Sequence, residues 1–222
     1  MNFSELVQTA AVYALPVLFA VTLHEAARAH VADRLGDKTA ASLGRLSFNP
    51  IKHIDPLGTI LMPLLLHFLS QGTMLFGYAK RLPVDIRALR NPRRDLLLIS
   101  LAGPVFGLLQ ALAWALALVG LRVAGVQETF FLSMAQAGVL VNLMLIAFNL
   151  VPIPPMDGGL MLVCLLPPKQ SQQLARVEPY AFFVVMALAL SGLLGTYWVR
   201  PVVTAGYMLL NLLLLPVAAL LQ

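Results

Sequence analysis

The sequence predicts an all-α polytopic membrane protein of about five to six transmembrane helices, with a re-entrant or short β-containing segment between the first two core helices. Three observations predict it. The 222-residue chain is 59% hydrophobic and 11% charged with a mean hydropathy of +0.84, whereas a soluble domain carries roughly 25% charged residues. Several uncharged runs reach the length of about 20 apolar residues that a bilayer crossing needs. The basic residues are gathered in two short loops, Arg34, Lys38, Arg45 and Lys52 in one and Lys80, Arg81, Arg87, Arg90, Arg93 and Arg94 in the other. Such clustering marks a membrane side, so the net charge of +5 is no nucleic-acid footprint.

Taken in order, the first apolar run spans Leu6 to Leu23 and is expected to continue as helix through Ala32. Its N-terminus lacks a basic n-region, so the segment reads as a retained helix rather than a cleaved signal. From Asp33 to Pro56, Gly36-Asp37, Gly44, Asn49-Pro50 and Asp55-Pro56 are turn signals, with short strands expected between them. A single crossing by Leu57 to Ala79 would put one basic loop outside, against the positive-inside tendency. A re-entrant hairpin or tight helical pair is expected there instead. Further spans follow at Leu96 to Leu121, Phe130 to Met156, Tyr180 to Val199 and Pro201 to Gln222. Both basic loops are then cytoplasmic and the N-terminus is outside. Tyr197 and Trp198 read as interfacial anchors and Arg90, Arg93 and Arg94 as headgroup contacts. The single Cys164 excludes an internal disulfide or a cysteine metal cluster. With no repeat and no low-complexity tail, one domain over 1–222 is the simplest organisation.

Ionisable residues inside a membrane span mark a functional site by default. His24 and Glu25 are such a pair. In the pattern H-E-x-x-H, two histidines four apart share a helix face and bind one metal, and the glutamate between them is the general base. Here Arg28 stands in the second histidine's place; a guanidinium cannot ligate zinc, and two arrangements are open, one in which it pairs with Glu25 and Asp157 and replaces the metal's charge and one in which it turns aside. His30 points about 120° away from His24 around a helix of 3.6 residues per turn; His53 and His67 read as structural or interfacial. The Phe130 span runs inward and ends at Asn149-Leu-Val-Pro152-Ile-Pro154-Pro155-Met156-Asp157-Gly158-Gly159. That brings Asp157 to the same membrane side as His24. The prolines stop the helix, and the two glycines permit a sharp turn that aims Asp157 into the bundle. Ala102-Gly103-Pro104 falls at a similar depth. Asn142 and Asn149 read as interhelical hydrogen-bonding groups.

These motifs resemble the site-2 protease family of intramembrane zinc metalloproteases, in its short bacterial form. The likeness rests on His24-Glu25, Leu35-Gly36-Asp37, Gly44-Arg45, Asn49-Pro50, Lys52 to Thr59, Phe76 to Lys80, Asn91 to Asp95, Ala102-Gly103-Pro104 and Asn149 to Gly159. The resemblance implies one zinc ion held by His24 and Asp157, with Glu25 activating water and Asn149 helping to hold substrate. It implies transmembrane segments of other membrane proteins as substrates, in the bacterial inner membrane, with the site toward the cytoplasm. The chain departs from the family at Arg28, at Gly107 where an asparagine follows Ala-Gly-Pro, and at Arg81 where proline is usual. Two readings follow: a zinc-dependent endopeptidase cutting within the bilayer, and an inactive member binding membrane-protein helices without cutting them. A transporter ranks last, because the ionisable residues cluster at one depth instead of lining a path.

Overall fold

The computed structural model describes residues 3–47, 49 and 83–220. The expected re-entrant segment 57–79, His53, His67 and Arg81 lie outside the described residues.

The first helix, α1 (Phe3–Leu35), is 33 residues long, about 50 Å at 1.5 Å per residue. It therefore exceeds the ~30 Å hydrocarbon core and runs three residues past the expected end. The stop is chemical. Gly36 takes φ 115°, and the Gly36 and Asp37 N–H groups return to the Asp33 and Ala32 carbonyls at 3.3 and 3.0 Å. This is a glycine-dependent C-cap that satisfies orphan carbonyls. Where strands were expected after it, the described residues form a one-turn helix, α2 (Thr39–Ser42). Asp37 organises this turn. Its carboxylate accepts from the Thr39 N–H at 2.9 Å and hydroxyl at 2.5 Å, and its other oxygen accepts from the Asp85 N–H at 3.0 Å. The two loops are thus tied together, and no strand occurs among the described residues.

α3 (Pro92–Val123) starts four residues before the expected Leu96, because Pro92 suits a first helical turn and Asp95 accepts from the Asn91 N–H at 2.7 Å. α4 (Thr129–Asn149) ends seven residues earlier than expected, ahead of Pro152, Pro154 and Pro155. α5 (Asp157–Leu165) and α6 (Pro168–Ala175) follow, then α7 (Ala181–Leu190) and α8 (Arg200–Leu220). The span expected over Tyr180 to Val199 is broken at Gly192, whose φ is 75°. The last two candidate crossings are Pro168–Leu190 and Gly195–Val217, the latter entered through a π-helical turn at Gly195–Val199. The Trp198 indole N–H donates to the Ala147 carbonyl at 2.8 Å and fastens this turn to α4.

Among the described residues five helices are long and apolar enough to cross a membrane, and the chain is an integral membrane protein. Burial separates them into two classes. Inside the protein lie 44%, 50% and 39% of the apolar windows of α1, α3 and α4, against 11% and 6% for the last two crossings. α1, α3 and α4 pack on one another and α5 packs on α3. Small residues let these backbones approach: Ala20, Ala26, Ala29 and Ala32 of α1 are fully buried, and Gly138 of α4 lies under the Trp114 ring. A site shielded from lipid must therefore sit among α1, α3, α4 and α5.

Candidate active site

Along α1, every residue from 24 to 29 is buried. One and a half helical turns are enclosed on all sides, which allows three ionisable groups at membrane depth. His24, Glu25 and Arg28 are 2%, 7% and 6% exposed, and Asp157 is 2% exposed. Asp157 arrives as the first residue of α5, where a carboxylate is favoured by the helix dipole. The glycines after it make no sharp turn. They lie inside the helix, and their bareness admits the preceding loop: a Cβ on Gly158 would fall 2.5 Å from the Leu150 carbonyl carbon, and one on Gly159 would fall 2.6 Å from the Ile153 oxygen. The loop at 150–154 thus folds flat onto the helix start and holds Asp157 against α1.

His24 Nε2 lies 3.0 Å from Asp157 Oδ2. A carboxylate only accepts, so Nε2–H is the donor, and Nδ1 has no hydrogen-bond partner. The ring rests against bare backbone: a Cβ on Gly103 would fall 2.5 Å from Nε2 and 2.8 Å from Nδ1. Arg28 does not turn aside. Its terminal nitrogen donates to both Glu25 oxygens at 3.4 and 3.5 Å, and its Nε forms an ion pair with Asp157 Oδ1 at 3.3 Å. One guanidinium therefore faces both acids, and the Asp157 carboxylate is shared between His24 and Arg28.

Asn149 is not drawn into this cluster; its amide donates to the Leu145 carbonyl of its own helix at 2.9 Å. Asn142 does likewise toward Gly138 at 2.8 Å, so neither amide donor bridges helices. His30 bonds back to the Ala26 carbonyl at 2.7 Å. Gly107 faces Ile146, with a Cβ there falling 2.9 Å from Cγ1; the space for a longer side chain is taken. The role of Gly103 as the wall behind His24 was absent from the sequence reading, although Ala102-Gly103-Pro104 was visible at the right depth.

The donor set among the described residues does not fit zinc. A catalytic zinc has three protein ligands plus water, and no group of three or more His, Cys, Asp and Glu side chains able to hold a metal occurs among the described residues. Charge opposes it as well. Like unit charges about 4 Å apart repel by about 4 kcal/mol at an effective dielectric of 20, and an ion on His24 and Asp157 would carry two against a guanidinium already paired with that aspartate.

Gly103→Ala is expected to displace the imidazole and destabilise the protein by about 1–3 kcal/mol, the usual cost of overpacking. Gly120→Ala, on the same helix with nothing within 4 Å of its would-be Cβ, is expected to stabilise by up to about 1 kcal/mol through helix propensity. Thermal unfolding of both variants in detergent tests the contrast; equal behaviour would remove Gly103 from the site.

Comparison with known proteins gives a consistent assignment. The model of peptidase family M50 matches residues 124–192. The Bacillus subtilis protein named "Putative zinc metalloprotease YwhC" is 37% identical over 201 residues, covering 86% of this chain and 85% of the relative. "Putative zinc metalloprotease Rip2" of Mycolicibacterium smegmatis is 29% identical over 184 residues, and its Mycobacterium tuberculosis namesake 30% over 181, each match covering 82% of this chain and 67% of the relative. No solved structure matches the chain significantly. By the length and identity of these matches, the chain belongs to peptidase family M50, the site-2 protease family.

Proposed function

We propose that this chain is a site-2 protease-type protein of the bacterial inner membrane that binds transmembrane segments of other membrane proteins and, holding no zinc, does not cut them. The observation that carries this reading is the Arg28 guanidinium, set 3.3 Å from Asp157 and 3.4 Å from Glu25. Peptide hydrolysis by this family's chemistry needs a metal-activated water and a free base. Here the acid that would share the metal is paired with Arg28, and so is the acid that would take the proton. Binding survives such a substitution, because the lipid-facing helices and the membrane depth of the centre are unaffected. The cytoplasmic placement of the centre rests on the charge of the flanking loops.

Two measurements on detergent-purified protein test the proposal. Elemental analysis is expected to find well below one zinc per chain, and a membrane-helix reporter co-reconstituted in vesicles is expected to stay intact. Near one zinc per chain together with reporter fragments would overturn it and establish the zinc endopeptidase, with a third ligand supplied from beyond the described residues.

A further inference from the structure

The α1–α3 seam that seats His24 against Gly103 continues along α3 to a groove of about 260 Å³ lined by Phe19, Leu23, Gln110, Ala113 and Trp114. Gln110 lies seven residues beyond Gly103, about 10 Å along the axis, near the middle of a 32-residue span. Four of the lining side chains are what lipid depth dictates. Gln110 is not: it is only 8% exposed, and neither its Oε1 nor its Nε2 has a hydrogen-bond partner. A buried amide in that state is costly, and acyl chains, which neither donate nor accept, cannot relieve it.

The outer face of α3 beside the groove is shaped for a helix. Phe106, Leu109, Ala113 and Leu116 follow one another at helical spacing; Phe106, Leu109 and Leu116 are 39%, 54% and 41% exposed. A small residue between large ones lets a second backbone approach closely. Among the described residues no charged side chain lines the groove, so the complementary group is neutral. We infer that Gln110 is the recognition point of a docking groove for a transmembrane helix of another membrane protein, one that carries an uncharged hydrogen-bonding side chain such as asparagine or glutamine at mid-membrane. This rests on the helix-binding reading above and adds a place and a selectivity to it.

Trp114 reports on the groove. The probe is a synthetic leucine-rich helix with one central asparagine and an adjacent nitroxide quencher, compared with the same helix carrying leucine in place of the asparagine. With the full chain in phosphatidylcholine vesicles, the asparagine helix is expected to quench the Trp114 component at about three- to tenfold lower peptide-to-lipid ratio than the leucine helix, the scale of one interhelical hydrogen bond. Trp114→Phe supplies the Trp198 background. Gln110→Leu removes only the amide, is expected to unfold no earlier than the unmodified protein, and should abolish the preference. Ala113→Leu fills the groove from an exposed position and should weaken the asparagine helix at least as much. Equal quenching by the two helices, or a preference that persists in Gln110→Leu, overturns the inference while leaving helix binding in place; the second result would place the recognition of asparagine elsewhere on the protein. Absence of quenching by either helix would overturn the inference and the helix-binding reading together.

Discussion

Arg28→Met is expected to lower stability by about 3–5 kcal/mol, the cost of leaving a buried ion pair without one partner. Glu25 and Asp157 are 7% and 2% exposed, and both face the guanidinium, so the substitution leaves two carboxylates beside each other with neither water nor a cation supplied in its place. The size of the loss identifies its cause. If Arg28 acts as counter-charge, Glu25→Gln and Asp157→Asn introduced into the Arg28→Met background should recover most of the loss, because neutral amides need no counter-ion. If Arg28 contributes only packing, the neutralising changes should recover nothing. Arg28→Lys should fall between, since an ammonium is a point charge that cannot spread over two acids as a planar guanidinium does. Chemical denaturation in detergent of the four combinations makes a double-mutant cycle, and a loss below about 1 kcal/mol for Arg28→Met would remove the counter-charge role.

How far the sequence reached can be judged at particular residues. His24, Glu25, Arg28 and Asp157 were legible as a group because polar residues are rare in an apolar chain, and the alternation of spans placed them on one side of the membrane. Their pairing was legible only as one of two arrangements. Whether Arg28 joins the two acids or turns away depends on where α5 begins relative to α1, and that is set by the flat approach of the loop at 150–154 to Gly158 and Gly159. The sequence showed those glycines but suggested a turn, since turn and close approach leave the same mark. The helix ends failed similarly. Tyr180 to Val199 looks like one continuous span by hydropathy, and only the positive φ of Gly192 and the Trp198 bond to Ala147 show that the chain breaks there and begins its last crossing. Hydropathy measures compatibility with lipid; it carries nothing about which residue closes a helix.

Arg28→His is expected to convert the cluster into a zinc site, raising the metal content from well below one ion per chain to near one. The geometry favours this gain. An imidazole at position 28 stands four residues from His24 on the same helix face, Asp157 already approaches His24 at 3.0 Å, and removal of the guanidinium takes away the competing cation. Zinc should then stabilise the variant in proportion to RT ln(1 + [Zn]/Kd), about 2.7 kcal/mol at a hundredfold excess over Kd, while the unmodified chain shows no such dependence. Proteolysis is not expected to return with the metal. Position 107 would still lack the asparagine that the family resemblance associates with the active site, and Gly107→Asn alone requires Ile146 to shift, because its Cβ would fall 2.9 Å from Ile146 Cγ1. Ile146→Ala, combined with Gly107→Asn and Arg28→His, makes the room. Cleavage of a co-reconstituted reporter helix is therefore expected only in the triple variant. Cleavage by Arg28→His alone would reduce the chain's divergence to a single residue, whereas failure of Arg28→His to take up zinc would mean that the contact between His24 and Asp157 is a structural hydrogen bond and no remnant of a ligand pair.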